Sequence, residues 1–183
     1  MPPDNRKDIL LCKKDFSVVQ LSKDINLSTF SCEYPEYTTF LTDNAPKLDE
    51  IGITTTYLVK KGEKTCAYFS ILAGSVEINS KLKSLFPEKD FPPYADKAGT
   101  LHIHHLAGDK DFCCEYKHII SFCKDYLRAM IITRLMKFLN ITFISLDADI
   151  NTDENVEEKY KKSGFKTVGT SFELPFMIAP VFE

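Results

Sequence analysis

Residues 101–146, LHIHHLAGDKDFCCEYKHIISFCKDYLRAMIITRLMKFLNITFISL, decide the fold of this chain. The segment Leu101–Ala107 alternates and predicts a strand, with one face formed by Ile103, His105 and Ala107 and the other by His102, His104 and Leu106. Apolar residues then recur at helical spacing over Tyr116–Leu139, in a stripe wide enough to pack against a sheet. The short apolar run Ile141–Leu146 is typical of a central strand.

Upstream of this segment, the sequence predicts a strand, a helix and a hairpin. The strand is Phe16–Leu21, and apolar spacing predicts a helix over Tyr34–Ile51 that Pro46 kinks and Gly52 ends. The β-branched and aromatic runs Thr54–Lys60 and Thr65–Ile71 predict the hairpin.

Downstream, the sequence predicts one more helix and a closing hairpin. Asn151 is the expected N-cap, with Glu154 completing a capping box and Gly164 ending the helix. The hairpin strands are Phe165–Val168 and Phe172–Met177. The order of strands and helices predicts an α/β (α+β) fold in which a mixed sheet carries helices on its faces.

Length and composition favour one domain over residues 1–183, with residues 1–14 expected to be a flexible start. The chain has 44% hydrophobic and 27% charged residues and a net charge of −3, which is ordinary for a soluble globular protein. No apolar run is long enough for a signal peptide or a membrane span, so we expect a cytoplasmic protein that does not bind a membrane. The six cysteines are then expected to be reduced, mostly buried thiols.

Three motifs together resemble the GNAT acyltransferase superfamily. Ile103-His-His-Leu-Ala-Gly-Asp-Lys-Asp-Phe112 resembles the fourth strand and following turn of bacterial members, and Phe143-Ile-Ser-Leu-Asp-Ala148 resembles the fifth strand. Tyr160-Lys-Lys-Ser-Gly164-Phe165 looks like the final helix signature. The resemblance covers nearly the whole chain and implies a mostly antiparallel mixed sheet with helices on both faces, acetyl-CoA as cosubstrate and transfer of an acetyl group to an amine.

The turn that would bind the cofactor departs from the family pattern. Family members carry Gln or Arg, then two residues, then Gly, any residue, and Gly or Ala. In this chain Cys113 replaces the leading Gln or Arg, and Tyr116 and His118 replace the glycines. Glycine would let the backbone N–H groups of a helix N-terminus approach a pyrophosphate closely, and bulky side chains oppose that approach. Lys110, Lys117 or a protonated His118 could supply compensating positive charge.

The resemblance also implies which residues carry the chemistry. A backbone N–H near Leu106 or Ala107 would stabilise the oxyanion, and Gly108 would form a bulge that admits the pantetheine arm. Tyr160 would protonate the departing thiolate, since a phenol with an ordinary pKa of about 10 suits a thiol with a pKa of about 8.5. His105 is the candidate base for the amine. The cofactor contacts are expected from Leu106, Ala107, Gly108, Cys113, Cys114, Tyr116, Lys117 and His118.

Other interpretations remain open at this point. His102 and His104 share a strand face, and Cys114 and His118 share a helix face, but the absence of a Cys-x-x-Cys pair argues against zinc, and no metal site is predicted. The acceptor could be a small-molecule or a protein amine. The acidic balance makes a nucleic acid an unexpected partner, with tRNA left open, and the chain could form a homodimer. The alternative to an acetyltransferase is a GNAT-fold protein that has lost catalysis and acts by protein binding.

Overall fold

The computed structural model describes residues 16–135 and 139–182, and within these it describes the backbone but not the side chains of residues 113–118. The expected flexible start at 1–14 therefore lies outside the described residues. Five α-helices are found in the described part: α1 (Pro35–Thr39), α2 (Ala45–Glu50), α3 (Ser80–Leu85), α4 (Tyr116–Thr133) and α5 (Val156–Lys162). A π-helical segment, Phe40–Asn44, joins α1 to α2, and a 3-10 helix, Lys110–Glu115, precedes α4.

The described residues form seven strands in the order β1-β2-β3-β4-β5-β7-β6. Strands β4 and β5 pair in parallel, while β1–β2, β2–β3, β5–β7 and β6–β7 are antiparallel. The mixed, mostly antiparallel sheet expected from the sequence is confirmed. The strand bounds are β1 (Phe16–Gln20), β2 (Thr55–Lys61), β3 (Lys64–Glu77), β4 (Lys97–Gly108), β5 (Phe143–Asp147), β6 (Lys166–Ser171) and β7 (Leu174–Pro180).

The chain forms two compact units, and the first contains the described residues up to Ile71 together with His105–Phe122. Its core is aromatic: Phe30, Phe40 and Tyr68 are buried beside Leu41 and Leu58. The Tyr68 ring stacks on Phe40 with centroids 6.0 Å apart, and its hydroxyl donates to the Tyr37 carbonyl at 2.8 Å. This hydrogen bond satisfies a polar atom that would otherwise be costly to bury.

The predicted Tyr34–Ile51 helix is interrupted as Pro46 led us to expect, but the interruption is a π-helical segment. The Ala45 N–H bonds to the Phe40 carbonyl, five residues earlier, instead of following the α-helical spacing. Proline has no N–H to donate, and its ring clashes with the carbonyl one turn earlier. The helix therefore adopts the wider π-helical turn just before Pro46, and α2 begins after it.

The second unit contains Leu72–His104 and the described residues from Cys123 onward. Val76, Leu82, Phe86, Phe143 and Ile178 form its core. The sequence did not predict that β3 continues to Glu77 or that β4 begins at Lys97. Both extensions lie in stretches that lack a clear alternation of apolar and polar residues.

Two chain segments of the second unit approach each other closely at Gly99. A Cβ atom added there would lie 2.4 Å from the Asn140 carbonyl oxygen, and the Thr142 N–H donates to the Gly99 carbonyl at 2.9 Å. Real Cβ atoms do not approach a carbonyl so closely. The close approach places the start of β5 beside β4.

The prediction that Asn151 caps the last helix is wrong. Helix α5 begins at Val156 after an Asn155 N-cap, and the preceding turns are held by two aspartates instead. The Asn155 N–H donates to Asp153 Oδ1 at 2.9 Å, and Thr152 Oγ1 donates to Asp149 Oδ2 at 2.6 Å. Short polar side chains favour such turns over helix, which delays the helix start.

The closing hairpin is confirmed, but its turn lies where the sequence predicted a strand start. Phe172 and Glu173 form the turn between β6 and β7, and both have positive φ, 48° and 68°. Phe172 is 96% exposed. Aromatic residues favour strands, so the prediction extended the strand across the turn.

The described cysteine side chains are free thiols, as expected: Cys66 and Cys123 are buried, and Cys32 is partly buried. Burial raises the pKa of each of these thiols. Among the described residues, the structure contains no helix that is both long and apolar enough to cross a bilayer.

Candidate functional site

Strand β4 leads directly into the segment that the sequence predicted to hold the cofactor. Leu106, Ala107 and Gly108 are buried at the end of this strand. The paired register of β4 with β5 runs from Thr100–Phe143 to Ile103–Leu146, so these three residues continue the strand beyond it. Gly108 remains within the strand.

Asp109 organises the turn that follows β4. Its side chain is 1% exposed, and Oδ2 accepts the Ser31 N–H at 2.9 Å while Oδ1 accepts the Asp111 N–H at 3.1 Å. Lys64 Nζ lies 3.2 Å from Oδ1 and 2.9 Å from Asp111 Oδ2, so one ammonium group is shared by the two carboxylates. A buried carboxylate with this many partners fixes the backbone around it.

The backbone around Asp109 is also tied to two other segments. The Asp109 N–H donates to the Cys66 carbonyl at 2.8 Å, and the Lys110 N–H donates to the Ser31 carbonyl at 2.8 Å. Lys64 Nζ lies 4.8 Å from the centre of the Phe112 ring, within range of a cation–π interaction. These contacts fix where the 3-10 helix Lys110–Glu115 begins.

The backbone of residues 113–118 passes from the 3-10 helix into α4, which begins at Tyr116. A helix N-terminus is therefore present where the cofactor turn was expected, and its first N–H groups have no partner within the helix. The side chains of Cys113, Cys114, Tyr116, Lys117 and His118 lie outside the described residues. Their cofactor contacts stay a prediction.

His105, the candidate base, lies against aromatic rings of the first unit. Its ring stacks on Phe40 with centroids 3.6 Å apart at 4°, and Tyr37 meets it edge-on at 5.8 Å. Its Nδ1 atom is buried. The ring is thus held in a packed position, and its role as a base stays a prediction.

Tyr160, the candidate acid, lies on α5 in the second unit and is 6% exposed. Its ring packs edge-on against Phe165 with centroids 5.7 Å apart. Gly164, with φ of 88°, ends the helix, and the Phe165 N–H then bonds to the Tyr160 carbonyl at 3.2 Å. The final-helix motif is therefore a C-terminal helix cap that brings Phe165 under Tyr160.

The other two strand histidines have different surroundings. His102 is part-buried and its Nδ1 lies 3.1 Å from Ser145 Oγ, whereas His104 is exposed. Burial lowers the pKa of His102 to about 4, and the neighbouring His104 adds to the shift. No group of three or more metal-ligating side chains occurs among the described residues.

Sequence reasoning missed the roles of two aspartates. Asp109 was read only as part of a family-like motif, and Asp147 at the end of β5 was given no role. Burial raises the pKa of the Asp147 carboxyl, and a hydrogen bond from Ser171 partly offsets this. A sequence signal that both share is an aspartate at, or directly after, the end of a strand.

No family model and no curated protein matches this chain. Solved structures do match over most of its length. One is the AtaT toxin complexed with acetyl-methionyl-tRNAfMet, with 15% identity and a TM-score of 0.68 over 91% of this chain and 95% of the other. Another is a tyrosine-to-phenylalanine mutant of KacT, with 13% identity and a TM-score of 0.68 over 91% and 95%.

A third structure holds a tyrosine-to-phenylalanine mutant of the AtaT toxin with the C-terminus of the antitoxin AtaR and acetyl-CoA. It has 14% identity and a TM-score of 0.65 over 91% of this chain and 94% of the other. The mixed, mostly antiparallel sheet and the helix that begins at Tyr116 agree with the fold that the resemblance implied. This chain has the fold of the GNAT acetyltransferases.

Proposed function

We propose that this chain is an acetyl-CoA-dependent N-acetyltransferase. The supporting observation is the path of the backbone from β4 through the Asp109 turn into the helix that begins at Tyr116. A helix N-terminus offers N–H donors and a favourable dipole to a diphosphate, whatever side chains it carries. A structure of AtaT, which has a similar fold, contains acetyl-CoA.

In this proposal each predicted residue has one task. Backbone N–H groups between Cys113 and His118 bind the diphosphate, and a backbone N–H at Leu106 or Ala107 stabilises the oxyanion that forms when the amine attacks the thioester. Tyr160 gives its proton to the leaving thiolate. These assignments rest on the family resemblance.

The proposed acceptor is a primary amine, and aminoacyl-tRNA is the first candidate to test. The support is an AtaT structure that contains acetyl-methionyl-tRNAfMet. A net charge of −3 gives no independent support for binding a polyanion. Small-molecule and protein amines are therefore the comparison substrates in the same assay.

The experiment is a titration of the whole chain with acetyl-CoA and CoA while thermal unfolding is followed, with adenosine as the control ligand. A ligand at 100 times its dissociation constant stabilises the folded state by about 2.7 kcal/mol. No shift at millimolar acetyl-CoA would reject the acetyltransferase and leave the non-catalytic, protein-binding alternative.

The Tyr160→Phe variant tests the chemistry once binding is established. It removes only the hydroxyl, so the acetyl-CoA-induced shift should be unchanged while acetyl transfer to Met-tRNA falls by about 10²-fold or more. Tyr126→Phe, on α4, is the matched control and should leave turnover unchanged. Equal turnover in the two variants would remove Tyr160 from the mechanism.

A further inference from the structure

The last turn of α5 closes around the Tyr160 carbonyl. This oxygen accepts the Ser163 N–H at 2.9 Å and the Phe165 N–H at 3.2 Å, so it is bonded from both sides of Gly164. The Gly164 N–H donates to the Lys161 carbonyl at 2.9 Å. The Ser163 carbonyl lies beyond the last hydrogen bond of the helix, so its partner has to come from outside α5.

A lysine of α4 supplies that partner. The part-buried Lys124 donates from Nζ to the Ser163 carbonyl. A Cβ atom added at Gly164 would lie 3.1 Å from the same Nζ, so the ammonium group lies directly against the turn. The helix dipole favours a cation at a helix C-terminus. Lys124 therefore completes the C-terminal cap of α5 from a neighbouring helix.

The same face of α4 carries a second cation one turn further along. Arg128 donates from Nε and Nη2 to the Pro180 carbonyl, at 3.1 and 2.7 Å. Residues four apart lie on one face of a helix, so this face holds two chain segments. Lys124 holds the α5 cap, and Arg128 holds the end of β7. Of these two segments, the α5 cap is the one that contains Tyr160.

The cap determines where the Tyr160 ring lies. Phe165 directly follows the Gly164 turn and is 2% exposed, and its ring meets Tyr160 edge-on with centroids 5.7 Å apart. Gly164 has a φ of 88°, so the turn depends on glycine and on the groups that bond around it. A shift of the Ser163–Gly164 peptide would move Phe165, and with it the ring that packs against Phe165.

We propose that Lys124 is a positioning residue that holds Tyr160 in the orientation that proton transfer requires. This inference rests on the proposed function. In the step concerned, the bond between the amine nitrogen and the acetyl carbon forms, the carbon–sulfur bond breaks, and the sulfur takes the Tyr160 proton. The proton that the acceptor nitrogen loses restores the phenol through solvent. Lys124 itself neither gives nor takes a proton.

The test is a double-mutant cycle between Lys124 and Tyr160, measured as acetyl transfer to Met-tRNA. Lys124→Met should lower kcat by about tenfold or more, because the phenol is misplaced, and should leave the acetyl-CoA-induced thermal shift unchanged. In the Tyr160→Phe background there is no hydroxyl to misplace, so the same change should lower kcat by less than about twofold. Lys124→Arg keeps a cationic donor and should restore most of the activity.

Arg128→Met is the matched control, since it also removes a cation of α4 that bonds to a backbone carbonyl. Its effect on kcat should be the same with and without the Tyr160 hydroxyl. A second readout needs no turnover: in chain labelled with ¹³C-tyrosine, the Tyr160 ring resonance, assigned with Tyr160→Phe, should move in Lys124→Met and stay in Arg128→Met.

Two outcomes would overturn the proposal. One is an equal loss of kcat from Lys124→Met in both backgrounds, and the other is a Tyr160 resonance that does not move when Lys124 is replaced. Failure of acetyl-CoA to bind is a separate result, because it would reject the transferase while the resonance still reports whether Lys124 holds the Tyr160 ring.

Discussion

At the scale of single residues, Asp109 connects the sequence motif to the proposed site. Its carboxylate accepts N–H groups from Ser31 and Asp111 and lies beside Lys64, so one side chain ties three segments together. The geometry of the proposed cofactor turn therefore depends on a residue that need not touch the cofactor.

We predict that Asp109→Asn destabilises the chain by about 2–3 kcal/mol. The amide can accept fewer N–H groups, and it leaves the Lys64 ammonium beside a group without charge. Urea unfolding measures the effect. Asp111→Asn removes an exposed carboxylate of the same turn, which is the control and should leave the free energy of unfolding nearly unchanged. Equal effects of the two substitutions would show that Asp109 is not the organising group.

At the scale of elements, the β6–β7 hairpin has the turn least suited to its geometry. Phe172 and Glu173 both adopt positive φ, which residues other than Gly, Asn and Asp adopt at a cost. The Phe172 ring is 96% exposed and so recovers little of that cost by burial.

Replacing Phe172 by Asn together with Glu173 by Gly should stabilise the chain by about 1 kcal/mol. Thermal or urea unfolding provides the measurement. Phe172→Ala keeps an ordinary L-residue at positive φ and removes only the exposed ring, so it should give no such gain. If Phe172→Ala is stabilised as much as the double variant, the gain comes from removing the exposed Phe172 ring and not from the backbone angles.

The elements also show what the sequence could predict. Alternation and helical spacing located β1, β2, β4, α4 and the closing hairpin, because burial on one face leaves a periodic pattern. The π-helical segment, the delayed start of α5 and the turn at Phe172 were missed, because each depends on local hydrogen bonds or backbone angles that override propensity. The pairing of His102 with Ser145 depends on strand register, which no single segment encodes.

At the scale of the whole molecule, the part-buried His102 makes stability depend on pH. Burial depresses the pKa of His102 to about 4 from an ordinary 6.5, and partial desolvation also lowers the pKa of His104, although that side chain is exposed. Between pH 6.5 and pH 4 the His102 ring is therefore protonated in the unfolded chain but still neutral in the folded chain. Stability is full above pH 6.5 and is lost as the pH falls toward 4.

For His102 alone, the loss between pH 6.5 and pH 4 should reach about 3 kcal/mol. The raised pKa of Asp147 acts in the opposite direction, since its folded carboxyl takes up a proton more readily as the pH falls. Urea unfolding at several pH values, compared between the unaltered chain and His102→Asn, separates the contribution of His102 from that of Asp147. A parallel pH dependence in both proteins would contradict the assignment to His102.

The close approach at Gly99 has a consequence for anyone who changes this sequence. Any side chain there would collide with the Asn140 backbone, which cannot turn aside as a flexible side chain can. In a saturation mutagenesis screen, position 99 should therefore reject all nineteen alternatives, although it performs no chemistry. Such a site would be mistaken for a functional one wherever intolerance alone is taken as the sign of function.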